Sequence, residues 1–210
     1  MNDANSEGAD HYLSAVDGPE IETRVKGSRF LAQVFRAPSE ELAAELLSAL
    51  SRKYYDATHH CSGARYGMPD AVLERFDDDG EPSGTAGRPI LGALRRLKLF
   101  DGLIVVTRYF GGTKLGSGGL VRAYGEAAAA AAAAVEPELT WITSELLCRF
   151  QYEDLGSVES ELTRRTAELR DIQRDFCPEP RFRIRVLATR AATLRAALVE
   201  TTAGRIEFES

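Results

Sequence analysis

The residues best suited to chemistry are Gly111-Gly112-Thr113-Lys114-Leu115-Gly116-Ser117-Gly118-Gly119, set between the apolar run 103–107 and an alanine-rich block ending near residue 135. Glycines permit positive φ and leave backbone N–H groups unobstructed. A helix N-terminus adds orphan donors and a partial positive charge, so strand, glycine loop and helix together suit the capture of an anion. Arg108, Lys114 and Arg122 lie within or beside this segment. With Gly111, Gly112, Gly116, Gly118 and Gly119 they form a candidate site for phosphate, nucleic-acid backbone or an acidic peptide. The same glycines also suit a tight turn with close helix–strand packing, and the pattern alone leaves the two readings level. It is not a P-loop, because Lys114 precedes Leu115 instead of following the last glycine; nor is it a dinucleotide fingerprint, because Val121 stands where the third glycine belongs.

Three further constellations invite chemistry. Asp77, Asp78, Asp79 and Glu81 offer oxygen ligands for a hard cation, but lack the alternate spacing of a calcium loop, and a solvated turn is favoured. Gly84-Thr85-Ala86-Gly87-Arg88 repeats the small-residue, single-cation style ahead of a helix and reads as a second donor nest, with Arg88 joining the candidate anion-binding residues. In His59-His60-Cys61, only His59 and Cys61 share a strand face. The other cysteines, Cys148 and Cys177, fall in a different predicted domain, so neither zinc nor a cysteine nucleophile is expected. Arg181, Arg183 and Arg185 alternate with Phe182, Ile184 and Val186, giving a three-arginine ladder that suits either RNA backbone or pairing with acids such as Glu153 and Asp175. No catalytic residue, metal or cofactor is assigned.

The elements that must position these residues follow from periodicity. A strand is expected at 28–35, then a helix capped by Ser39 with Leu42, Leu46 and Leu50 facing the core. Strands at 60–66 and 72–76 flank the turn 67–70. A helix from Pro89 carries Ile90, Leu91, Leu94, Leu97 and Leu99, and 103–107 reads as a buried strand. The alanines 127–134 suit a helix lying close to a sheet, ended by Pro137. Tyr109 and Tyr124 suit base stacking or internal packing, with packing favoured for Tyr124. Beyond Pro137 the order is β-α-β-β-α-β, that of a ferredoxin-like fold. The expectation is a two-domain α+β chain: a disordered tail over 1–18, one domain over 19–137 and a second over 143–210.

Composition narrows the function. A net charge of −6 argues against coating nucleic acid non-specifically, although a local basic patch is compatible with it. Three widely spaced cysteines fit a reducing compartment. The polar, acidic N-terminus has no secretory pattern, and no apolar run is long enough to span a membrane, so a cytoplasmic location is expected.

The segments 78–91 and 107–124 resemble the signature of the Impact/YigZ family; Lys26-Gly27-Ser28-Arg29-Phe30 and His59-His60-Cys61 resemble two lesser landmarks. The resemblance covers about residues 20–135. It implies an N-terminal domain with the fold of the second domain of ribosomal protein S-five. It also implies a ferredoxin-like C-terminal domain resembling the last domain of elongation factor G. Eukaryotic Impact members restrain activation of a translation-arresting kinase by binding its activator; they carry an additional RWD domain, for which the N-terminal tail here is too short. The function implied is regulation of translation, including under stress, by binding RNA, the ribosome or a translation-associated protein. Binding is favoured over catalysis. The alternatives are an enzyme acting on a phosphorylated small molecule or nucleotide, and a protein-binding module without anion preference.

Overall fold

The computed structural model describes residues 10–176 and 178–209; residues 1–9 of the expected tail, Cys177 and Ser210 lie outside the described residues. The chain divides into two compact units, one spanning Tyr12–Thr140 and the other Trp141–Ser210 together with the N-terminal residues through His11.

In chain order the first part runs β1 (His11–Ser14), β2 (Ile21–Val25), β3 (Ser28–Arg36), α1 (Glu40–Lys53), β4 (His59–Tyr66), β5 (Leu73–Asp77), α2 (Gly87–Arg96), β6 (Leu99–Phe100), β7 (Gly102–Tyr109), α3 (Ser117–Ala133) and β8 (Glu138–Trp141). Five strands form an antiparallel sheet in the order β2-β3-β7-β4-β5, and β6-β1-β8 form a small second sheet. Alternation along β7 explains the layers. Ile104 and Val106 face α2 and α3 in one core with Phe30, Val34, Ile90, Leu94 and Tyr124. Leu103 and Val105 face the opposite side, with Ala43, Leu46, Leu47 and Leu50 of α1. A strand buried on both faces reads as a continuous apolar run. In α3, Ala127, Ala128, Ala131 and Ala132 are buried, so the alanine block is the contact face of a helix.

Several expectations need correction. Residues 11–14 form a strand, not part of a disordered tail: Leu13 registers with Leu99, and the Tyr12 hydroxyl donates to Asp101 Oδ2 at 2.6 Å. Asp17 and Gly18 continue the attachment, through Asp17 Oδ1 accepting from Arg36 N and Gly18 N donating to the Val34 carbonyl. Ser39 caps α1, but Leu42 is exposed because the buried stripe is centred one residue later, on Ala43. Helix α2 stops at Arg96, leaving Leu97 exposed and Leu99 in a strand. Strand β8 has no counterpart in the periodicity reading.

The second unit runs β9 (Thr143–Arg149), α4 (Leu155–Arg164), β10 (Leu169–Asp175), β11 (Arg181–Leu187), α5 (Ala191–Thr201) and β12 (Glu207–Phe208). Its sheet has the order β10-β11-β9-β12, with Phe182, Ile184 and Val186 packed on Val158, Leu162, Leu194 and Leu198. Within this unit the Asp10 side chain accepts from Thr189 Oγ1 at 2.6 Å. Among the described residues, no helix is long and apolar enough to cross a membrane.

Candidate functional site

The glycine loop is held by a neighbouring turn. Val25 and Ser28 are register partners, so β2 and β3 are joined by Lys26 and Gly27 alone, with φ of 46° and 83°. Positive φ at both positions is the signature of a type I′ hairpin. Gly27 lies against Gly111 so closely that a Cβ on Gly111 would stand 1.9 Å from the Gly27 carbonyl carbon. The Gly111 N–H donates to Ser28 Oγ at 3.1 Å, and the Phe110 N–H to Thr58 Oγ1 at 3.0 Å. Gly111 is therefore a packing residue whose amide is already occupied. Gly119 also packs, with Leu115 beside it. Gly112, Gly116 and Gly118 meet open space instead. Gly116 is the N-cap residue of α3, at φ 72° and with no side chain to accept from the first-turn amides of the helix.

The cations of this segment separate in the same way. Lys114 and Arg122 are exposed, and neither forms an ion pair with a described residue. Arg108 does not face an anion site. Alternation along β7 puts it on the inner face with Ile104 and Val106, where only 5% of it is exposed. Its guanidinium pairs with Glu81, donates to Ser28 Oγ at 3.3 Å and lies over the rings of Phe30 and Phe110. Glu81 Oε1 also accepts from the Tyr124 hydroxyl at 2.7 Å and stands 3.8 Å from His59 Nε2. Burial raises the Tyr124 hydroxyl pKa, so the phenol donates and remains neutral. Tyr124 is thus internal. Tyr109 donates to Asp56 Oδ1 at 3.0 Å and carries Arg29 over its ring at 5.3 Å.

The acidic loop folds onto itself and its neighbours. Asp78 Oδ2 accepts from Gly84 N at 2.7 Å, and Oδ1 accepts from Ala86 N and Gly87 N at 3.0 and 2.8 Å. Residues 84–87 do form a donor nest, and its anion is the protein's own carboxylate. Burial pushes the Asp78 pKa up; the three N–H bonds outweigh that and, with nearby Arg88, hold it below its ordinary value. Asp79 Oδ2 accepts from His60 N and Asp77 Oδ1 from Asp79 N. Arg88 stands over the Phe76 ring at 5.3 Å, at the α2 end of this nest. The Cys61 thiol is fully buried and its pKa is pushed up to about 12, chiefly by burial and further by Glu81, Asp79 and Asp78. A thiol so protonated is not a nucleophile at neutral pH.

In the second unit Arg181, Arg183 and Arg185 share the exposed face of β11. Asp175 stands opposite Arg181; Asp171 and Glu145 stand opposite Arg185; Arg183 Nε lies 3.9 Å from Glu145. Arg149 also stands opposite Arg181, so the acids of the neighbouring strands offset this ladder only in part.

Sequence reasoning missed two features. Lys26, on the hairpin turn, borders a groove of about 290 Å³ against α3. The two-residue turn between strand patterns was the available signal. The Glu81–Arg108 pair spans 27 residues of sequence; the inward face of Arg108 follows from alternation in 104, 106 and 108, but its partner does not.

The Impact N-terminal domain family matches residues 26–132. An IMPACT family member, YvyE, of Bacillus subtilis is 38% identical over 77% of this chain and 74% of its own length. IMPACT family member YigZ of Escherichia coli is 30% identical over 88% of this chain and 90% of its own. A crystal structure of a hypothetical protein superposes with a TM-score of 0.69 at 28% identity, covering 96% of this chain and 98% of that one.

Proposed function

The chain belongs to the IMPACT family, and from that premise we propose that it is a non-enzymatic, cytoplasmic regulator of translation. It binds RNA, the ribosome or a translation-associated protein through the surface around residues 112–122. Lys114 and Arg122 are the binding cations, Lys26 joins them, and the amides of Gly112, Gly116, Gly118 and Gly119 face the ligand. The first unit is read as related to the second domain of ribosomal protein S-five. The β10-β11-β9-β12 order supports reading the second as ferredoxin-like, as in the last domain of elongation factor G. Both likenesses favour a translation setting by analogy of fold.

One observation carries the reading: in a chain of net charge −6, Lys114 and Arg122 stand exposed and unpaired with any described residue beside a helix N-terminus that has no side-chain cap. Unpaired cations beside orphan donors favour a negatively charged partner. Occupation of the acidic loop by internal bonds weighs against using Asp79 or Glu81 as a base or metal ligand. Co-sedimentation of the protein with ribosomes over a salt series tests the reading. Salt-sensitive association, lost in the Lys114→Ala/Arg122→Ala double variant, is expected; association absent at every salt, or unchanged in the variant, would overturn it.

A further inference from the structure

We infer that the groove between the β2–β3 turn and α3 docks a short acidic peptide segment carrying one apolar anchor residue. This rests on the reading above and narrows its partner to a protein. The groove has an apolar floor, Val25, Leu115 and Ala123, and a basic rim, Lys26 and Arg122, with Glu126 one turn further along α3. Lys114 immediately precedes Leu115. Among the described residues, none forms an ion pair with Lys26, Lys114 or Arg122. Elsewhere in the same unit, Arg65, Arg95 and Arg108 each have a carboxylate partner. Arg52, Arg88, Arg96 and Lys98 likewise have no ion pair with a described residue. What distinguishes Lys26 and Arg122 is that they share one groove with an apolar floor, where their charge is available to a partner.

Charge complementarity selects an acidic occupant, and three features favour a peptide over RNA. First, the space of about 290 Å³ is small and its floor is apolar, which suits a single side chain. Second, no aromatic ring lines it, whereas single-stranded nucleic acid is usually held by stacking. Third, two cations and one acid give the groove too little net positive charge to track a continuous phosphate backbone. An apolar anchor supplies affinity, while the rim cations, with Gly119 of the first turn of α3 beside them, set direction. The Gly27–Gly111 contact fixes the Lys26 backbone relative to the loop before any ligand arrives, which reduces the ordering cost of binding.

The probe is a dye-labelled synthetic peptide with a central Leu flanked by Glu residues, titrated with the full chain by fluorescence anisotropy. Replacing the probe's Leu by Ser is expected to weaken binding about ten- to hundredfold. Lys26→Glu and Arg122→Glu should each weaken it about tenfold, and Glu126→Gln should tighten it about twofold. Equal binding of the Leu and Ser probes, indifference to Lys26→Glu, or tighter binding of a single-stranded RNA of equal charge would overturn the inference. Ribosome association that persists without peptide binding sinks the groove and spares the regulatory reading. Peptide binding without ribosome association does the reverse.

Discussion

Residues 84–88 and 111–119 each lead small residues and a cation into a helix, yet the first segment is filled by one of the protein's own carboxylates and the second is not. Asp78 reaches into the nest at the start of α2 and takes three amide hydrogens. At the start of α3, Gly116 supplies no side chain, and Gly118 faces open space. What separates them is a carboxylate close at hand: Asp78 lies six residues before Gly84, whereas 111–119 contains no acid. Composition shows the acids of 77–81 but not that one of them turns back to fill the nest.

The comparison can be broken most forcefully at Glu81, which ties the first loop to β7 and α3. Glu81→Gln should cost about 3–5 kcal/mol, because it strands the buried Arg108 guanidinium, and urea unfolding would register the loss. A smaller cost would mean that Arg108 turns outward and rejoins the second loop's surface. Next comes Asp78→Ala, which orphans three amides and should cost about 2–3 kcal/mol at neutral pH. Because the folded Asp78 carboxyl titrates below its ordinary value, this stabilisation is present above about pH 4 and fades as pH falls through the folded pKa. The gap between wild type and variant should therefore close in acid, as seen from urea midpoints across a pH series. The smallest effect is expected at Gly118→Ala in the second loop. A methyl there meets nothing and relieves glycine's unfolded-state entropy, so a gain of about 0.4–1 kcal/mol is expected in the same assay. Destabilisation instead would show that this loop, too, is internally filled.

Much of the scaffold was legible because periodicity reports burial. The run 103–107 announced a strand covered on both faces, Ser39 with Glu40 and Glu41 announced the start of α1, and alternation around Phe182, Ile184 and Val186 separated core from surface. Strand β1 was hidden because its attachment is long-range: the Tyr12–Asp101 bond joins residues 89 apart, and no local pattern encodes it. The arginines divided for a related reason. Arg108 and Lys114 look alike on paper; strand parity buries one, while a loop without parity leaves the other outside. Arg181, Arg183 and Arg185 share an exposed face, as alternation requires. Of the acids expected beside them, Asp175 does stand opposite Arg181, whereas Glu153 pairs with Arg205 instead. Asp171 and Glu145 went unforeseen because strand register is not encoded along β11.

The apposition of Gly27 and Gly111 has a further consequence. Two backbones without intervening side chains act as a gauge block, setting the gap between hairpin and loop by main-chain thickness alone. Neither turn can accept an inserted residue without shifting the other. Length variation engineered into this unit should be tolerated in the exposed turn 68–71, beyond the Gly67 N–H bond to Asp101, and refused at 26–27 and 110–112.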